Sequence, residues 1–566
     1  MTSPRRAIGG FLVASAMLLA GALASGSIAA DRWAEVSGIA ASAQARRSLD
    51  LTLRLGTGLA MALAMFASLL AVRRSIVAVV VPRQLGNLVI GEAVPGGVVT
   101  VIALVAALLA GCLAAVLPTD LLTVQLALRP LLTGELDPFV GRDLGFYWAW
   151  VPFERWLLDR AVIVWGGVSL VSALIYVSTA SIRIGPTGVW IAPFARRHLG
   201  VLLGLSVLLL GWEWRLQRFD LIGAAVQPFG LTAHRVLAPA YRLLAWAAWP
   251  LAAAFVIAAW RGSVALAAIV TVLVGGAGPL VKHGLPILVE RRLTAVERER
   301  RDVSYGEVAR RYAARQADDS LRLMIASQSV GVAELSFPDS LLIAPAAGRY
   351  AVVRDTANAV VGPPMDRLVD RLVFAWALRA PGLLRAPVDA GSRVVAPRDP
   401  IARVQRLAPF VTVLGAPRWL EGGTAGDRWA VDLAVTAARY PMVEMLRWAG
   451  RESRYLRRAG VAYVDASNGA VVFAWTDTPD PILHRWREIV PEPFEGPMAL
   501  TATEAVLWAG RTPATAIGTA ADDTAAVETA IRSAFDALVA ARRRGDWRAA
   551  LDAEARLARL LGPVPD

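Results

Sequence analysis

The sequence predicts a membrane protein in which about seven transmembrane α-helices are followed by an α+β extracytoplasmic domain and a C-terminal helical hairpin. Two observations predict this class. The 566 residues are 56% hydrophobic with a mean hydropathy of +0.50, which is too apolar for a soluble chain of this length. Apolar residues also cluster in long runs before Lys282 and are diluted by charged residues and Pro after it. The predicted units are therefore a helical domain over 1–285, an α+β domain over 286–511, and a linker with the hairpin over 512–566.

The seven predicted spans rest on run length, because a helix needs about 20 apolar residues to cross a bilayer. The first is the apolar run that follows Arg5 and Arg6. A cleaved signal peptide is the alternative for this run, since small residues precede Asp31. We prefer a retained helix, because further spans follow. These are Leu55–Val72, Val98–Leu117, Ala161–Ser181, Leu199–Trp214, Tyr241–Trp260 and Val264–Val281.

The fifth predicted span is the weakest. The apolar core of Leu199–Trp214 has only about fourteen residues, which is short for a full crossing. Trp212 and Trp214 at its end are typical of residues at the membrane–water interface. Gly200 and Gly204 form a GxxxG step, which permits close packing against another helix.

Loop charges predict the orientation, because cytoplasmic loops are enriched in Lys and Arg. The loop between the third and fourth spans is net acidic, which predicts an outside location. The loops predicted to be cytoplasmic carry Arg73, Arg74 and Arg83 after span two, and Arg183, Arg196 and Arg197 after span four. The N-terminus is therefore predicted to be cytoplasmic, and everything after Lys282 extracytoplasmic. The loop after span five fits less well, since it carries Arg215, Arg218, Arg235 and Arg242 against Asp220.

The second half of the chain combines helical and extended patterns. Leu293–Ile325 is a charged helical segment. An Ala- and Thr-rich stretch near Thr512–Thr524 indicates a linker. Two helical patterns, over Ala525–Arg543 and Trp547–Leu561, then predict the C-terminal helical hairpin.

A β-hairpin is predicted around Asn468 and Gly469. Val461–Asp465 and Ala470–Trp475 are rich in β-branched and aromatic residues, and Asn-Gly is the strongest two-residue turn signal. We expect the two strands to pair in the core of the second domain, near Ile401–Val413.

An acidic aromatic loop between spans three and four is the best-formed polar feature. Its carboxylates could bind a cation, a lipid headgroup or the outer domain, or perform acid–base chemistry. The structural interpretation, which we favour, is a segment over Asp137–Trp156 that lies along the membrane interface, with Pro138 and Pro152 interrupting any helix and part of it beneath the outer domain. The candidate functional residues of this loop are Asp137, Asp143, Trp148, Trp150 and Glu154.

Other candidate chemistry is sparse. Glu213, set between two tryptophans, is a candidate interface carboxylate, and Arg215 is its expected partner. The four histidines show no metal-ligand spacing, and the single cysteine, Cys112, allows neither an internal disulfide nor a multi-cysteine metal site. No cofactor, no metal and no catalytic residue is predicted.

Five blocks follow one another along the chain: Asp137–Asp159, Arg196–Ile222, Ser392–Phe410, Tyr455–Phe494 and the tail that contains ALVAARRRGDWRAALDAEARL. Together they resemble the uncharacterised protein family 0182 of bacterial multi-pass membrane proteins. The resemblance implies about seven helices and a large extracytoplasmic domain, but it implies no activity and no catalytic residues. Relative to that family, the segment between Asp318 and Pro364 and the region after Phe494 are shortened.

These observations favour a non-enzymatic scaffold or binding protein of the cell envelope, with an outer soluble domain. The alternative is an envelope enzyme or a transporter that acts on a lipid or a polymer. The expected partners are the lipid bilayer, and either an anionic lipid or another envelope component. Nucleic acid is not expected despite the net charge of +13, because most arginines lie in loops or beside Asp and Glu. The oligomeric state is left open.

Overall fold

The computed structural model describes residue 21 and residues 25–495, with internal gaps at residues 79–82, 86–87, 91–95, 180, 186–187, 224–228, 292–294, 318–320, 322–333, 336–341, 348–349, 356–359, 422–426, 449–450 and 477–479. The chain divides into two compact units, Met1–Ala499 and Leu500–Asp566, and the described residues all belong to the first. The predicted first span is largely outside the described residues. The predicted linker and C-terminal hairpin are wholly outside them.

Residues 25–290, called the helical half below, are built mainly from helices, and two short β-hairpins join some of them. A helical segment over 25–36 precedes the first labelled helix. Short π-helical turns over Phe146–Trp150, Ala233–Leu237 and Leu280–Gly284 extend three of the helices at their ends. The helices are α1 (Ala40–Ala78), α2 (Gly96–Ala115), α3 (Leu121–Leu128), α4 (Val151–Ser178), α5 (Pro193–Gly223), α6 (Ala238–Arg261), α7 (Val264–Pro279) and α8 (Leu285–Glu290).

Five helices among the described residues are long and apolar enough to cross a membrane. They contain the predicted second, fifth, sixth and seventh spans, and the fourth except for its last three residues, since the helix ends at Ser178. The predicted third span corresponds to the shorter apolar helix over Val99–Ala115. The five are Ala40–Arg73, Phe146–Ser178, Pro193–Gly223, Ala233–Arg261 and Val264–Val289.

Two expectations about these helices were wrong. The fifth helix was expected to be short, but it runs for 31 residues over Pro193–Gly223. Pro152 was expected to interrupt any helix, but the helix runs through it, because the π-helical turn Phe146–Trp150 continues directly into α4, of which Pro152 is the second residue. The helix therefore starts well before Ala161, and most of the predicted surface loop is its first turns.

Helices α5 and α6 touch through small residues, as the GxxxG step allows. A Cβ atom added to Gly200 would lie 2.1 Å from the Cβ of Ala259, and one added to Gly211 would lie 2.4 Å from the Cβ of Ala248. Gly204 meets the carbonyl oxygen of Ala252 at 3.1 Å in the same way. Only glycine fits these contacts, so the two backbones are held at a fixed close distance.

Two β-hairpins lie at the ends of α1 and α4. Strands β1 (Arg83–Leu85) and β2 (Leu88–Ile90) follow α1, and strands β3 (Ile182–Gly185) and β4 (Gly188–Ile191) follow α4. Both pairs are antiparallel and consist of three or four residues a strand.

Residues 295–495, called the strand-containing half below, hold the remaining strands and four α-helices of the described part of the chain. The charged helix predicted over Leu293–Ile325 is present over Ala295–Gln316. Ala317 already forms a β-bridge with Leu456, and most of the predicted remainder lies outside the described residues. The three sheets have the strand orders β5-β6-β7, β13-β12-β9-β8 and β10-β11. The elements are α9 (Ala295–Gln316), β5 (Leu342–Ala347), β6 (Tyr350–Arg354), α10 (Leu368–Ala377), β7 (Ser392–Val395), α11 (Pro400–Leu407), β8 (Thr412–Leu420), β9 (Arg428–Ala437), β10 (Leu446–Trp448), β11 (Arg451–Ser453), β12 (Tyr455–Asp465), β13 (Val471–Trp475) and α12 (Pro481–Ile489).

The predicted β-hairpin is confirmed. Strands β12 and β13 are antiparallel, with Val461 opposite Ala474 and Val464 opposite Val471. Gly469 in the turn has a φ of +74°, a conformation that glycine adopts without strain. The expected neighbourhood is also correct, since the ring of Phe410 stacks on Trp475 with 6.2 Å between the ring centroids.

Candidate functional site

Asp137 and Asp143 are used to hold the acidic loop in shape. The fully buried carboxylate of Asp137 accepts hydrogen bonds from the backbone N–H of Phe139 at 3.2 Å and of Val140 at 2.8 Å. It also accepts one from the Tyr147 hydroxyl at 3.1 Å. Asp143 accepts in the same way from the N–H groups of Thr133, Gly134 and Gly145 at 2.8–3.1 Å. Both carboxylates thus satisfy N–H groups of a turn that has no regular secondary structure.

Burial and these hydrogen bonds act on Asp137 in opposite directions. Burial raises the pKa of the Asp137 carboxyl above its usual value, while the two backbone N–H groups and the Tyr147 hydroxyl oppose the rise. Its oxygens accept hydrogen bonds from Phe139, Val140 and Tyr147, and Asp137 does not line the cavity between α5 and α6. The structural interpretation of these two acids is therefore the better supported one.

Glu154 and Glu213 each pair with an arginine on the neighbouring helix. Glu154 of α4 accepts hydrogen bonds from the indole N–H of Trp150 at 2.7 Å and from Arg215 of α5 at 2.5 Å. Glu213 of α5 is bound by Arg155 of α4. The expected pair between Glu213 and Arg215 was wrong, because residues two apart on a helix point in different directions.

The two candidate tryptophans have different surroundings. Trp148 is 6% exposed, and its ring contacts two tyrosines of the strand-containing half: the centroid distances are 4.8 Å to Tyr455 and 6.0 Å to Tyr440. These two tyrosines also contact each other, at 5.1 Å. Trp150 is 41% exposed and contacts neither tyrosine in the ring contacts of the described residues. Of the pair expected to dock the second domain, only Trp148 does so.

A chain of charged side chains continues this junction. Asp220, near the end of α5, is bound by Arg155 of α4 and accepts a hydrogen bond from Arg439 of the strand-containing half at 3.1 Å. Arg439 and Asp220 are 15% and 18% exposed, so the pair is shielded from solvent. Arg155 also binds Glu213, which joins the helix pair α4–α5 and the second half in one ionic network.

Backbone hydrogen bonds complete the junction. The N–H groups of Tyr440 and Met442 donate to the carbonyl oxygens of Gly223 and Ile222, both at 3.0 Å. Gly223 leaves room for the Tyr147 ring, which a Cβ atom would approach to 2.9 Å. One hydrophobic cluster contains Trp148 together with residues of β9, β12 and α12, so a continuous core joins the two halves.

A cavity of about 570 Å³ opens between α5 and α6 next to the junction. Its wall nearest the strand-containing half carries positive charge, and its remaining wall is apolar and aromatic. Trp246 and Trp249 at the rim are 71% and 63% exposed. The arginines in the wall are Arg142, Arg215, Arg218 and Arg242.

The arginines of this cavity were missed in the sequence as a site, although their charge was noted. Arg215, Arg218 and Arg242 were counted as a basic excess in a loop predicted to lie outside, against the usual bias. Arg142 was counted in the acidic loop. In the structure Arg215 and Arg218 belong to α5 and Arg242 belongs to α6, so the mismatch in the charge pattern was the signal.

A buried polar cluster lies between α1, α4 and α5. The imidazole of His198 is 2.9 Å from the Tyr176 hydroxyl and 3.3 Å from the Ser68 hydroxyl, which in turn is 2.5 Å from Ser172. Ser68 and Ser172 are 5% and 0% exposed. These groups satisfy each other's hydrogen bonds inside the helix bundle, and they lie outside the cavity.

Comparisons with known proteins agree with the resemblance seen in the sequence. The chain is 29% identical over 159 residues to a UPF0182 protein of Leifsonia xyli, which covers 25% of this chain and 16% of the relative. It is 32% identical over 160 residues to a UPF0182 protein of Rhodococcus jostii, and that match covers 26% of this chain and 16% of the relative. A UPF0182 protein of Geotalea uraniireducens is 26% identical to this chain over 231 residues, and that match covers 40% of this chain and 23% of the relative. The matches thus span less than a quarter of the length of these relatives.

No solved structure matches the chain. The model of the uncharacterised protein family UPF0182 matches residues 8–307 and 348–503, which is most of the chain. It covers both the apolar helices of the helical half and the sheets of the strand-containing half. The chain therefore belongs to the uncharacterised protein family UPF0182.

Proposed function

We propose that the protein is a non-enzymatic binding protein of the cell membrane, which holds its strand-containing half at a fixed position outside the cell. The junction at Trp148 is the observation that carries this proposal. Domains of one chain move relative to each other by default, unless their interface is large and hydrophobic. Here a hydrophobic cluster, two backbone hydrogen bonds and the Arg439–Asp220 ion pair all cross from one half to the other.

The carboxylates of the acidic loop support a structural role. The carboxylates of Asp137 and Asp143 accept hydrogen bonds from backbone N–H groups, and that of Glu154 accepts them from Trp150 and Arg215. A general acid or base must be able to reach a proton on a substrate. None of these three acids lines the cavity beside them.

Two observations support the proposed orientation, with a cytoplasmic N-terminus and an extracytoplasmic second half. The N-terminus of α1 is close to the strand-containing half, since the N–H of Ser42 donates to Glu492 at 2.8 Å. The N-terminus of α4 is also close to it, through Trp148. The loops after both helices, at their opposite ends, are the basic ones.

The fixed position can be tested by a distance measurement. Spin labels are attached to Arg261→Cys, at the remote end of α6, and to the exposed Asp366→Cys, in a Cys112→Ser background in nanodiscs. We expect one narrow distance distribution, which broadens when Trp148→Ala and Arg439→Gln are introduced together and stays narrow with Trp150→Ala. A broad distribution in the protein with an intact junction would overturn the proposal.

The cavity between α5 and α6 favours a second candidate function, the movement of a lipid between leaflets. Its rim opens on the outer surface of the helix pair, where Trp246 and Trp249 are exposed. Proteoliposomes with a fluorescent lipid distinguish the two functions. The binding role predicts transfer no faster than in protein-free vesicles, whereas faster transfer would support the second function and contradict the first.

A further inference from the structure

We infer that the cavity between α5 and α6 binds a membrane lipid with an anionic phosphate headgroup. The inference is independent of the fixed-domain role, because the cavity is lined by the helical half alone. It rests on three features: an excess of arginine at one end, aromatic rings that orient those arginines, and an apolar end that opens sideways.

Positive charge in the cavity is not balanced by acids. Arg215 is paired with Glu154. Among the described residues, Arg142, Arg218 and Arg242 form no salt bridge, and Arg142 and Arg242 both repel Arg218 electrostatically. Like charges that line one cavity raise its free energy unless an anion is present. Arginine is suited to phosphate, because its planar fork of N–H donors matches two phosphate oxygens.

Aromatic rings orient three of the guanidinium groups. Arg142 lies over the ring of Phe146, with 5.3 Å from Cζ to the centroid. Arg215 and Arg218 both lie 5.8 Å from the centroid of Phe219. The two rings are themselves in edge contact at 4.9 Å. The N–H fork of Arg215 is already bound to Glu154. Arg142 and Arg218 form no salt bridge among the described residues, so stacking on a ring orients their N–H donors before any ligand arrives.

The rest of the cavity is suited to a hydrocarbon chain. Leu208, Leu209 and Ala245 line it away from the arginines, and Trp246 and Trp249 form its rim. A second, almost wholly apolar cavity of about 570 Å³ borders Leu208 and Leu209 from the side of α1 and α4. The cavity thus has a charged end, an apolar end and an exposed aromatic rim. This arrangement fits a phospholipid whose headgroup lies toward the strand-containing half.

The chemistry shared by possible ligands is the phosphate group, and the bilayer is the source that fits both ends of the cavity. Free phosphate would use the arginines but leave the apolar walls empty. A zwitterionic phospholipid carries a cation that the arginine excess disfavours. The proposed ligand is therefore an acidic phospholipid such as phosphatidic acid or phosphatidylglycerol.

The test uses the full chain in nanodiscs that contain phosphatidylcholine with or without about 10 mol% phosphatidic acid, an anionic phospholipid. Bound lipid is counted by native mass spectrometry after release. We expect the unmodified protein to retain phosphatidic acid. The variant that carries both Arg218→Gln and Arg242→Gln should retain at least tenfold less of it. Arg261→Gln, an exposed arginine at the other end of α6, is the matched control and should retain it.

A second variant keeps the charges and removes the space. Ala245→Phe narrows the apolar part of the cavity and should reduce retention while all four arginines remain. Size-exclusion chromatography shows whether each variant is folded. The inference is overturned if the double arginine variant retains phosphatidic acid as the unmodified protein does, if Arg261→Gln loses it equally, or if inorganic phosphate alone displaces it at low millimolar concentration.

Discussion

The indole ring of Trp148 lies 4.8 Å from the phenol ring of Tyr455, measured between centroids. One ring belongs to the π-helical turn Phe146–Trp150 that leads into α4, and the other belongs to strand β12. Tyr455 is oriented in turn by Asp480, whose carboxylate accepts a hydrogen bond from its hydroxyl at 2.6 Å. This contact is one of those that join the two halves of the molecule, so its removal should weaken the junction.

Trp148→Ala should loosen the strand-containing half without preventing insertion into the membrane. Replacing a buried tryptophan by alanine costs about 3–5 kcal/mol, because a cavity remains where the ring packed. The expected result in limited proteolysis is new cleavage C-terminal to Lys282. Trp150→Ala is the control, since Trp150 is 41% exposed and outside the junction. Equal cleavage of the two variants would contradict the docking role of Trp148.

The Arg439–Asp220 pair should show strong coupling in a double-mutant cycle. Asp220→Asn leaves the shielded guanidinium of Arg439 without its partner, which costs about 3 kcal/mol. Arg439→Gln should cost less, because Asp220 stays paired with Arg155. The double variant should lose less than the sum of the two, because it leaves no isolated charge. The exposed pair Arg354–Asp389 is the control and should show almost no coupling. Additive losses at Arg439 and Asp220, measured by thermal unfolding in detergent, would contradict the ion pair.

Asp480→Asn should change how stability depends on pH. Burial raises the pKa of the Asp480 carboxyl, so the folded state holds its proton more tightly than the unfolded chain does. The stability that this proton contributes is present below the unfolded pKa and is lost as the pH rises through the folded pKa. Asparagine does not titrate, yet it can keep the hydrogen bonds to Tyr455 and to the first turn of α12.

The melting temperature of Asp480→Asn, relative to the unmodified protein, should therefore increase as the pH is raised from about 4 to about 7. Differential scanning fluorimetry across this range measures the difference. The exposed Asp366→Asn should show no such trend. A difference in melting temperature that is constant, or that decreases with pH, would show that the pKa of the Asp480 carboxyl is not raised in the folded protein.

The proposed orientation predicts opposite results for two reporter fusions. Alkaline phosphatase folds into its active form outside the cytoplasm, so a fusion after Gln316 should be active and a fusion after Arg83 should be silent. Gln316 ends α9, on the side of the strand-containing half, and Arg83 begins the hairpin at the remote end of α1. The reverse pattern would invert the topology.

Local patterns in the sequence were enough for several elements. The hairpin at Asn468 and Gly469 was predicted because the turn needs a positive φ and the flanking residues favour strands. The sixth predicted helix, Tyr241–Trp260, was located within a few residues, because no charged residue follows Arg242 in its apolar run.

Contacts between distant residues account for the rest. The fifth helix was predicted to be too short because Glu213, Arg215 and Arg218 broke its apolar run. In the structure Glu213 is bound by Arg155 and Arg215 by Glu154, so the helix continues through them. Such pairs join residues about 60 positions apart, and no periodicity in the sequence shows which arginine meets which acid. The same limit hid the four-arginine cavity.

The glycine–alanine contacts between α5 and α6 have a kinetic consequence for that cavity. Gly211 and Ala248 both line it, and their helices are already in backbone-close contact. The two walls cannot separate to admit a ligand unless that contact is broken. Exchange then depends on rotation of the exposed Trp246 and Trp249 side chains, and exposed side chains change rotamer within nanoseconds. The residence time of a bound lipid is therefore set by how firmly the arginines hold its headgroup, and not by the opening of a gate.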